Sequence, residues 1–438
     1  MKNHMDRNMY DIIRKKRDGE VLGEEEIAWF TEGFTKGEIP DYQAAALLMA
    51  IYFKGMTEEE TAALTLSMAQ SGDVLDLSGI PGIKVDKHST GGVGDKTTLV
   101  LAPLVSACGV PVAKMSGRGL GYTGGTIDKL ESIPGFCTLL TEEEFIRNVK
   151  EIGIAVMEPT GQLAPADKKL YALRDVTATV DQLSLIAASI MSKKLAAGAD
   201  AILLDVKTGS GAFMKKKEDA ALLAQEMIRI GRHAGRKVEA VISDMDQPLG
   251  RAIGNALEVK EAIETLQGKG PADLTELCLN LGAKMVLLGG KADSAAGAEY
   301  LVKEALQSGA AFEKFRQFVK RQGGDLSCLE NPDKMIHADI RRPVLAKKEG
   351  YLTGMNCEEI GMAAVLSGAG RKKKEERIDF SAGFYLMAKK GDSVKEGEPL
   401  AVLYANDTRK ADLAEERFRN ACRIEPTLQM ARLNCYVS

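Results

Sequence analysis

From Ile83 onward the chain repeats one local pattern, a short apolar run, then a glycine-rich loop, then a longer helical stretch. "IKVDKH" leads into "STGGVGDK" and then "TTLVLAPLVSACG". "VPVAKMSG" leads into "RGLGYTGGTIDKLE". "ADAILLDVKTGSG" leads into "KKEDAALLAQEMIRIGRHAG", and "KVEAVISDM" follows. "TEEEFIRNVKEIG" adds a helix whose start is marked by Thr141 and Glu144, the spacing of a capping box. Strands and helices alternating in this order predict an α/β fold: a mainly parallel (mixed) central sheet covered by helices. The large α/β lobe takes residues 80–155 and 197–335.

The remainder of the chain has a different texture. Residues 1–72 read as helices only, and "TEEETAALTLSMAQSG" opens with a second capping box, Thr57 with Glu60, and stops at Gly72. Residues 163–196 are again helical and poor in strand patterns, so the chain is expected to return there to complete a small all-α lobe, 1–72 and 163–196. Glycine-rich connections near 72–82, 153–163 and 197–198 are candidate hinges. Beyond about residue 345 short strands are punctuated by glycine, and "GDSVKEGEPL" resembles the turn of hammerhead-like β modules. Residues 345–438 are therefore expected to form a C-terminal α+β hammerhead-like module with a structural role.

Composition narrows the function classes. A chain of 438 residues with 45% hydrophobic residues has enough material for several domains. A net charge of −4 does not favour nucleic acid or an anionic membrane as partner. The seven cysteines are dispersed with no CxxC pair, which suggests neither a zinc site nor a disulfide framework. No 18-residue apolar run occurs, and the N-terminus lacks the apolar segment of a secretion signal. A cytoplasmic location is the expectation.

Chemistry concentrates in the loops. In "KHSTGGVGDKTT" a glycine-rich loop joins a strand to a helix, and its backbone N–H groups with the helix N-terminus can cradle an anion. Lys87 adds a full charge, and Ser89 and Thr98 add hydroxyls. "KMSGRGLGYTGGT" repeats the arrangement with Lys114, Ser116 and Thr126. Loops leaving neighbouring strands can converge at the carboxyl end of a sheet, where open α/β folds bind ligands. His88 stands beside the first loop and is a candidate acid or donor. In the second helical segment Ser189 and Lys193 lie four residues apart and share a helix face, with Arg174 upstream. Phe213, after the loop of "DVKTGSGAFM", could cover a planar ligand or plug the loop.

Taken together and in order, "KHSTGGVGD", "KMSGRGLG.TGGT.DKLE", "LAPADKK.YALRDVTATV", "SIMSKK", "DVKTGSGAFM" and "GNALEVKEAIETL" resemble the thymidine and pyrimidine-nucleoside phosphorylase family over nearly the whole chain. The resemblance implies phosphorolysis of uridine, thymidine and deoxyuridine to free base and α-D-(deoxy)ribose 1-phosphate. It implies a phosphate site of Lys87, Ser89, Thr98, Lys114, Ser116 and Thr126. It also implies a base site of Arg174, Ser189, Lys193 and Phe213, with His88, Arg174 and Lys193 carrying the catalysis. It implies a potassium ion held by oxygens near Gly94, Lys96, Leu249 and Ala252 and by the Glu261 side chain, no organic cofactor, and a homodimer formed through the α lobe. Tyr122 and Glu158 stand where the family commonly carries other residues. Two alternatives stay open: a phosphoribosyltransferase of the anthranilate type, which needs acidic residues to hold magnesium on a pyrophosphate, and a non-catalytic dimeric binding protein.

Overall fold

The computed structural model describes residues 7–119, 121–122, 124–371, 373 and 376–427. The expected segments of the α lobe before residue 7 and of the C-terminal module beyond residue 427 lie outside the described residues. So does Leu120 within the second glycine-rich loop.

The described chain divides into two compact units, and it passes between them repeatedly. The first holds Met1–Gly79, Pro159–Ile202 and Ala221–Ala240; the second holds Ile80–Glu158, Leu203–Ala220 and Val241–Ser438. Part of the helix Lys217–His233, assigned with residues 197–335 on sequence, thus groups with the helical unit.

The first unit begins with four helices, Met9–Arg17, Glu24–Lys36, Asp41–Lys54 and Glu58–Ala69, and regains Pro165–Val176 and Leu183–Ala196 after the chain returns. Their apolar faces meet in one core in which Ile12, Phe30, Phe34, Leu47 and Leu48 from the first segment pack with Leu170, Leu185 and Ala188 from the second. The expected capping box at Thr57 is present: its hydroxyl accepts the Glu60 N–H, and the Glu60 carboxylate accepts the Thr57 N–H. The same carboxylate, fully buried, also accepts the Leu22 N–H at 2.8 Å and pairs with the buried Lys16 at 2.7 Å. Near the connections, Asp73 donates its N–H to Gln162 at 3.0 Å and Leu75 to Ala196 at 2.9 Å, so the departing and returning segments are stitched together.

The strands Val85–Ser89, Ala201–Thr208 and Lys237–Asp244 form one sheet in that order. Val112–Met115 pairs in parallel with Ile154–Met157, with Val112 opposite Ile154 and Met115 opposite Met157. Helices Thr97–Ala107, Ala256–Leu266, Ala272–Leu288, Ala295–Gln307 and Ala310–Arg321 supply apolar cover. The C-terminal strands are antiparallel. Gly383–Leu386 pairs on one edge with Ala252–Gly254 and on the other with Pro399–Ala405, and Pro399–Ala405 pairs with Ile340–Leu345. The module therefore shares a sheet with the loop region at residue 252. Within it, the stretch read as short strands from Gly350 contains one strand, Gly350–Met355, and then a helix, Cys357–Ser367. Asn356 starts that helix by accepting the Glu359 N–H, and Gly368 ends it at a φ of 115°.

Candidate active site

The strand Val85–Ser89 ends in the first glycine-rich loop, and its alternation places Lys87 and Ser89 on the same face. Lys87 Nζ donates to Thr97 Oγ1 at 2.6 Å and pairs with Asp205 at 3.0 Å. Ser89 Oγ donates to the Asp95 carboxylate and accepts the Gly91 N–H at 3.2 Å. Asp95 also accepts the Thr97 hydroxyl at 2.6 Å and the Thr97 N–H at 3.2 Å. Lys114, arriving from the next strand, donates to the Lys87 carbonyl at 2.6 Å and lies 3.4 Å from Asp86. Lys207 pairs with Asp205 at 2.8 Å and reaches Asp95 at 4.0 Å. Lys129 holds the Asp95 carbonyl at 2.7 Å and Glu258 at 2.8 Å.

The structure thus gathers Lys87, Ser89 and Lys114. Thr98 lies in the first turn of the helix Thr97–Ala107, Ser116 follows the strand Val112–Met115, and Thr126 opens the helix Thr126–Glu131. His88 sits half-buried at the strand end. The lysines 87, 114, 129 and 207 are matched one for one by Asp86, Asp95, Asp205 and Glu258, so this buried network carries no formal net charge. Burial would raise the Asp95 carboxyl, but Lys207, Lys87 and Lys129 outweigh it and hold it well below the ordinary carboxylate range. A phosphate here would meet donors already oriented by carboxylates, together with the N–H groups of a helix start.

The candidate base residues Arg174, Ser189 and Lys193 belong to the first unit. Ser189 and Lys193 come together as their spacing predicts: Lys193 Nζ donates to Ser189 Oγ at 3.1 Å and pairs with the buried Asp167, while its side chain stays 43% exposed. Arg174 is differently engaged. It is buried, and its guanidinium donates to the carbonyls of Thr179 at 3.1 Å, Leu185 at 3.0 Å and Val180. Three of its five N–H donors are thereby used, two on the carbonyls that follow Ala178, which adopts the left-handed region at φ 55°, and one on the helix Leu183–Ala196. Tyr171 lies with its ring 5.8 Å from the Arg174 guanidinium and is half exposed. In the second unit, Phe213 projects from its loop at 46% exposure while the neighbouring Met214 is buried, so the two residues take opposite roles.

The oxygens expected to hold potassium are already engaged. Lys96 is completely buried, and its Nζ donates to the carbonyls of Leu249 and Ala252, both at 2.8 Å, and pairs with Glu261 at 2.5 Å. The Gly94 carbonyl accepts the Lys96 N–H at 2.9 Å. Gly94 itself has φ 73°, and a Cβ there would lie 2.6 Å from the Leu249 carbonyl oxygen. Lys96, expected near the ion through a backbone oxygen, enters the set through its side chain, whose ammonium sits among the oxygens. These residues do not fit a bound metal ion in addition.

Of the two unusual positions, Glu158 pairs with Arg118 at 2.9 Å and shares that guanidinium with Glu131 and Asp128. Tyr122 is half-buried, and a Cβ added at Gly361 would meet its carbonyl oxygen at 2.6 Å. Sequence reasoning passes over Asp95, Asp205, Lys207, Asp167 and Tyr171. Asp205 and Lys207 carry a signal in the alternation of "LLDVKT", where two charged residues share one face of an otherwise apolar strand. Tyr171 and Arg174 carry one in their i, i+3 spacing.

Residues 82–312 match the family described as glycosyl transferase family, a/b domain; residues 10–72 match its helical bundle domain; and residues 351–425 match the pyrimidine nucleoside phosphorylase C-terminal domain. The chain is 59% identical over 408 residues to a pyrimidine-nucleoside phosphorylase of Staphylococcus haemolyticus (strain JCSC1435), covering 93% of this chain and 94% of that one. It is 60% identical over 398 residues to a pyrimidine-nucleoside phosphorylase of Staphylococcus aureus (strain MSSA476), covering 91% and 92%. Among solved structures, anthranilate phosphoribosyltransferase from Thermus thermophilus superposes with a TM-score of 0.56 at 21% identity, over 71% of this chain and 99% of that one, a likeness of fold.

Proposed function

Because the chain belongs to the pyrimidine-nucleoside phosphorylase family, we propose that it catalyses the phosphorolysis of uridine, thymidine and deoxyuridine. The observation that carries this reading is the match over more than nine-tenths of the chain, joined to the convergence of Lys87, Ser89 and Lys114 beside a helix N-terminus. The C-terminal match at residues 351–425 speaks against the phosphoribosyltransferase alternative.

In this reading inorganic phosphate occupies the second unit's loops, with Lys87, Ser89, Thr98, Lys114, Ser116 and Thr126 as its partners. Phosphate oxygen attacks C1′ from the face opposite the base. The C1′–N1 bond breaks with its electron pair passing to the base, a C1′–O bond forms, and the phosphate's proton ends on the base. Inversion at C1′ yields the α-1-phosphate. Negative charge grows on the pyrimidine as the bond breaks. Lys193, steadied by Asp167 and Ser189, the remaining N–H groups of Arg174, and His88 would stabilise it, each preorganised donor contributing ~3 kcal/mol. Phe213 would cover the ring.

We further read the chain as acting as a homodimer in the cytoplasm. Support for the dimer comes from the helical unit, where Tyr42 and Phe53 on the helix Asp41–Lys54 are 74% and 76% exposed. Sedimentation of the purified protein tests it, and a monomer at micromolar concentration would refute it. Among the described residues no helix is long and apolar enough to cross a membrane.

The activity is tested by following base release in the ultraviolet from uridine and thymidine with and without inorganic phosphate. Release that depends on phosphate is expected for both. Release without phosphate would make the protein a hydrolase, and no release from either would return it to the binding-protein alternative.

A further inference from the structure

We propose that the Lys96 ammonium takes the place of a monovalent cation in this chain, so that the cage formed by the Leu249 and Ala252 carbonyls and the Glu261 carboxylate is a built-in, potassium-independent brace. The proposal rests on family membership only for the expectation that a cation would be there; the cage itself stands on the geometry.

An ammonium group has three N–H donors. Lys96 faces three acceptors: Leu249 O at 2.8 Å, Ala252 O at 2.8 Å and Glu261 Oε2 at 2.5 Å. Each donor therefore has a partner. The side chains of Lys96 and Glu261 are 0% and 1% exposed. A second cation among these oxygens would face the ammonium's positive charge at close range with no water to screen it.

The surroundings leave no spare oxygen in the loop. Glu261 also accepts the N–H groups of Arg251 at 2.9 Å and Ala252 at 3.1 Å. On the loop's other side Lys389 donates to the carbonyls of Pro248 at 2.5 Å and Gly250 at 2.7 Å and pairs with Asp273 at 2.9 Å. Gly250 has φ 67°, and a Cβ on it would come within 2.2 Å of Glu261 and 3.0 Å of Lys96 Nζ. Two lysines from distant parts of the chain thus clasp residues 248–252.

The brace has a job beside the phosphate loop. Lys96 precedes the helix Thr97–Ala107 and adjoins Asp95 and Thr97, which hold Ser89 and Lys87. Leu249 donates its N–H to the Val93 carbonyl at 3.1 Å. The ammonium therefore fastens the glycine-rich loop to residues 249–252, a covalently tethered version of what a bound ion would do.

The test compares the full-length protein with Lys96→Ala, which removes the ammonium and opens space, and Lys96→Met, which keeps the volume without the charge. Melting temperature and kcat/KM are measured in potassium chloride and in tetramethylammonium chloride at equal ionic strength. Thallium(I), a potassium mimic with strong anomalous scattering, is soaked into crystals. The wild type is expected to be indifferent to potassium and to show no thallium peak in the cage. Lys96→Ala is expected to melt lower, to regain several degrees only in potassium, and to show a thallium peak between Leu249 and Glu261. Lys96→Met is expected to melt lower in both salts. A thallium peak in the wild-type cage, a wild type weakened by potassium removal, or a Lys96→Ala protein that folds yet ignores potassium would each overturn the proposal. If Lys96→Ala does not fold, the wild-type melting and thallium results decide alone. Both are independent of turnover, so a protein inactive on nucleosides would refute the proposed reaction without touching this inference.

Discussion

At the residue scale, Lys193 is held from two sides, by Asp167 and Ser189, with its ammonium still partly open to solvent. Its removal takes a positive charge from the site and leaves the buried Asp167 carboxylate without that partner. Lys193→Ala is expected to lower kcat/KM about 10²- to 10³-fold and to lower the melting temperature through Asp167; full activity in steady-state assays would remove Lys193 from the catalytic set. Asp95 is the opposite case, since it organises a buried network. Asp95→Asn leaves Lys87 and Lys207 short of one carboxylate and is expected to cost about 3 kcal/mol in urea unfolding at neutral pH. The sign of its pH dependence follows from the depressed carboxyl. Its stabilisation is complete above the unfolded value, about 4, and is lost as pH falls through the lower folded value. The gap between wild type and Asp95→Asn should therefore hold steady from neutral pH to about 5 and close below about 4; a gap that widens in acid would refute this. The ammonium-for-ion substitution at Lys96 belongs to this scale too. Its residue type is plain in "GVGDKTT", but its partners lie 153 to 165 positions away.

At the element scale, caps and glycine stops are legible because they are local hydrogen-bonding chemistry. Thr57 with Glu60 and Thr141 with Glu144 form the boxes that their spacing predicts. Spacing does not reveal that Glu60 is also buried against Lys16, which approaches from another helix. Glu60→Gln keeps the side chain's size but deprives Lys16 of its counter-charge. We expect a loss of about 3 kcal/mol in chemical unfolding, larger than the ~1 kcal/mol of an ordinary cap deletion; a loss at the cap's level would mean the ion pair contributes nothing. The helix Cys357–Ser367 reads as strand in the sequence because its glycines and the short apolar runs between them imitate strand punctuation. Its buried face is set by contacts with residues distant in sequence, among them Val93, Tyr122 and Gly211, which local pattern does not report.

At the scale of the whole molecule, the helical unit is assembled from separated chain segments. Leu170, Leu185 and Ala188 of the returning segment complete the core begun by Ile12, Phe30 and Leu47. A fragment ending at Gly79 is therefore expected to show helical signal without a cooperative melt by circular dichroism, because those partners are missing; a sharp transition would show that the first four helices suffice. The candidate active-site residues divide along the same line, with Ser189, Lys193 and Arg174 in one unit and His88, Lys87, Lys114 and Phe213 in the other.

The amino-acid sequence by itself determined the helical lobe, the strand–loop–helix alternation, the glycine-rich loops and the set of residue types gathered in them, since each follows from interactions among near neighbours. Only the tertiary structure decided how those side chains are engaged. Arg174 holds two backbone carbonyls of a turn and one of the following helix, Asp95 and Asp205 balance the lysines of the phosphate loop, and the Lys96 ammonium fills the cage near Glu261. The reason is physical: a buried charge must find its counter-charge and acceptors in three dimensions, and no spacing along the chain specifies which distant carbonyl or carboxylate will meet it.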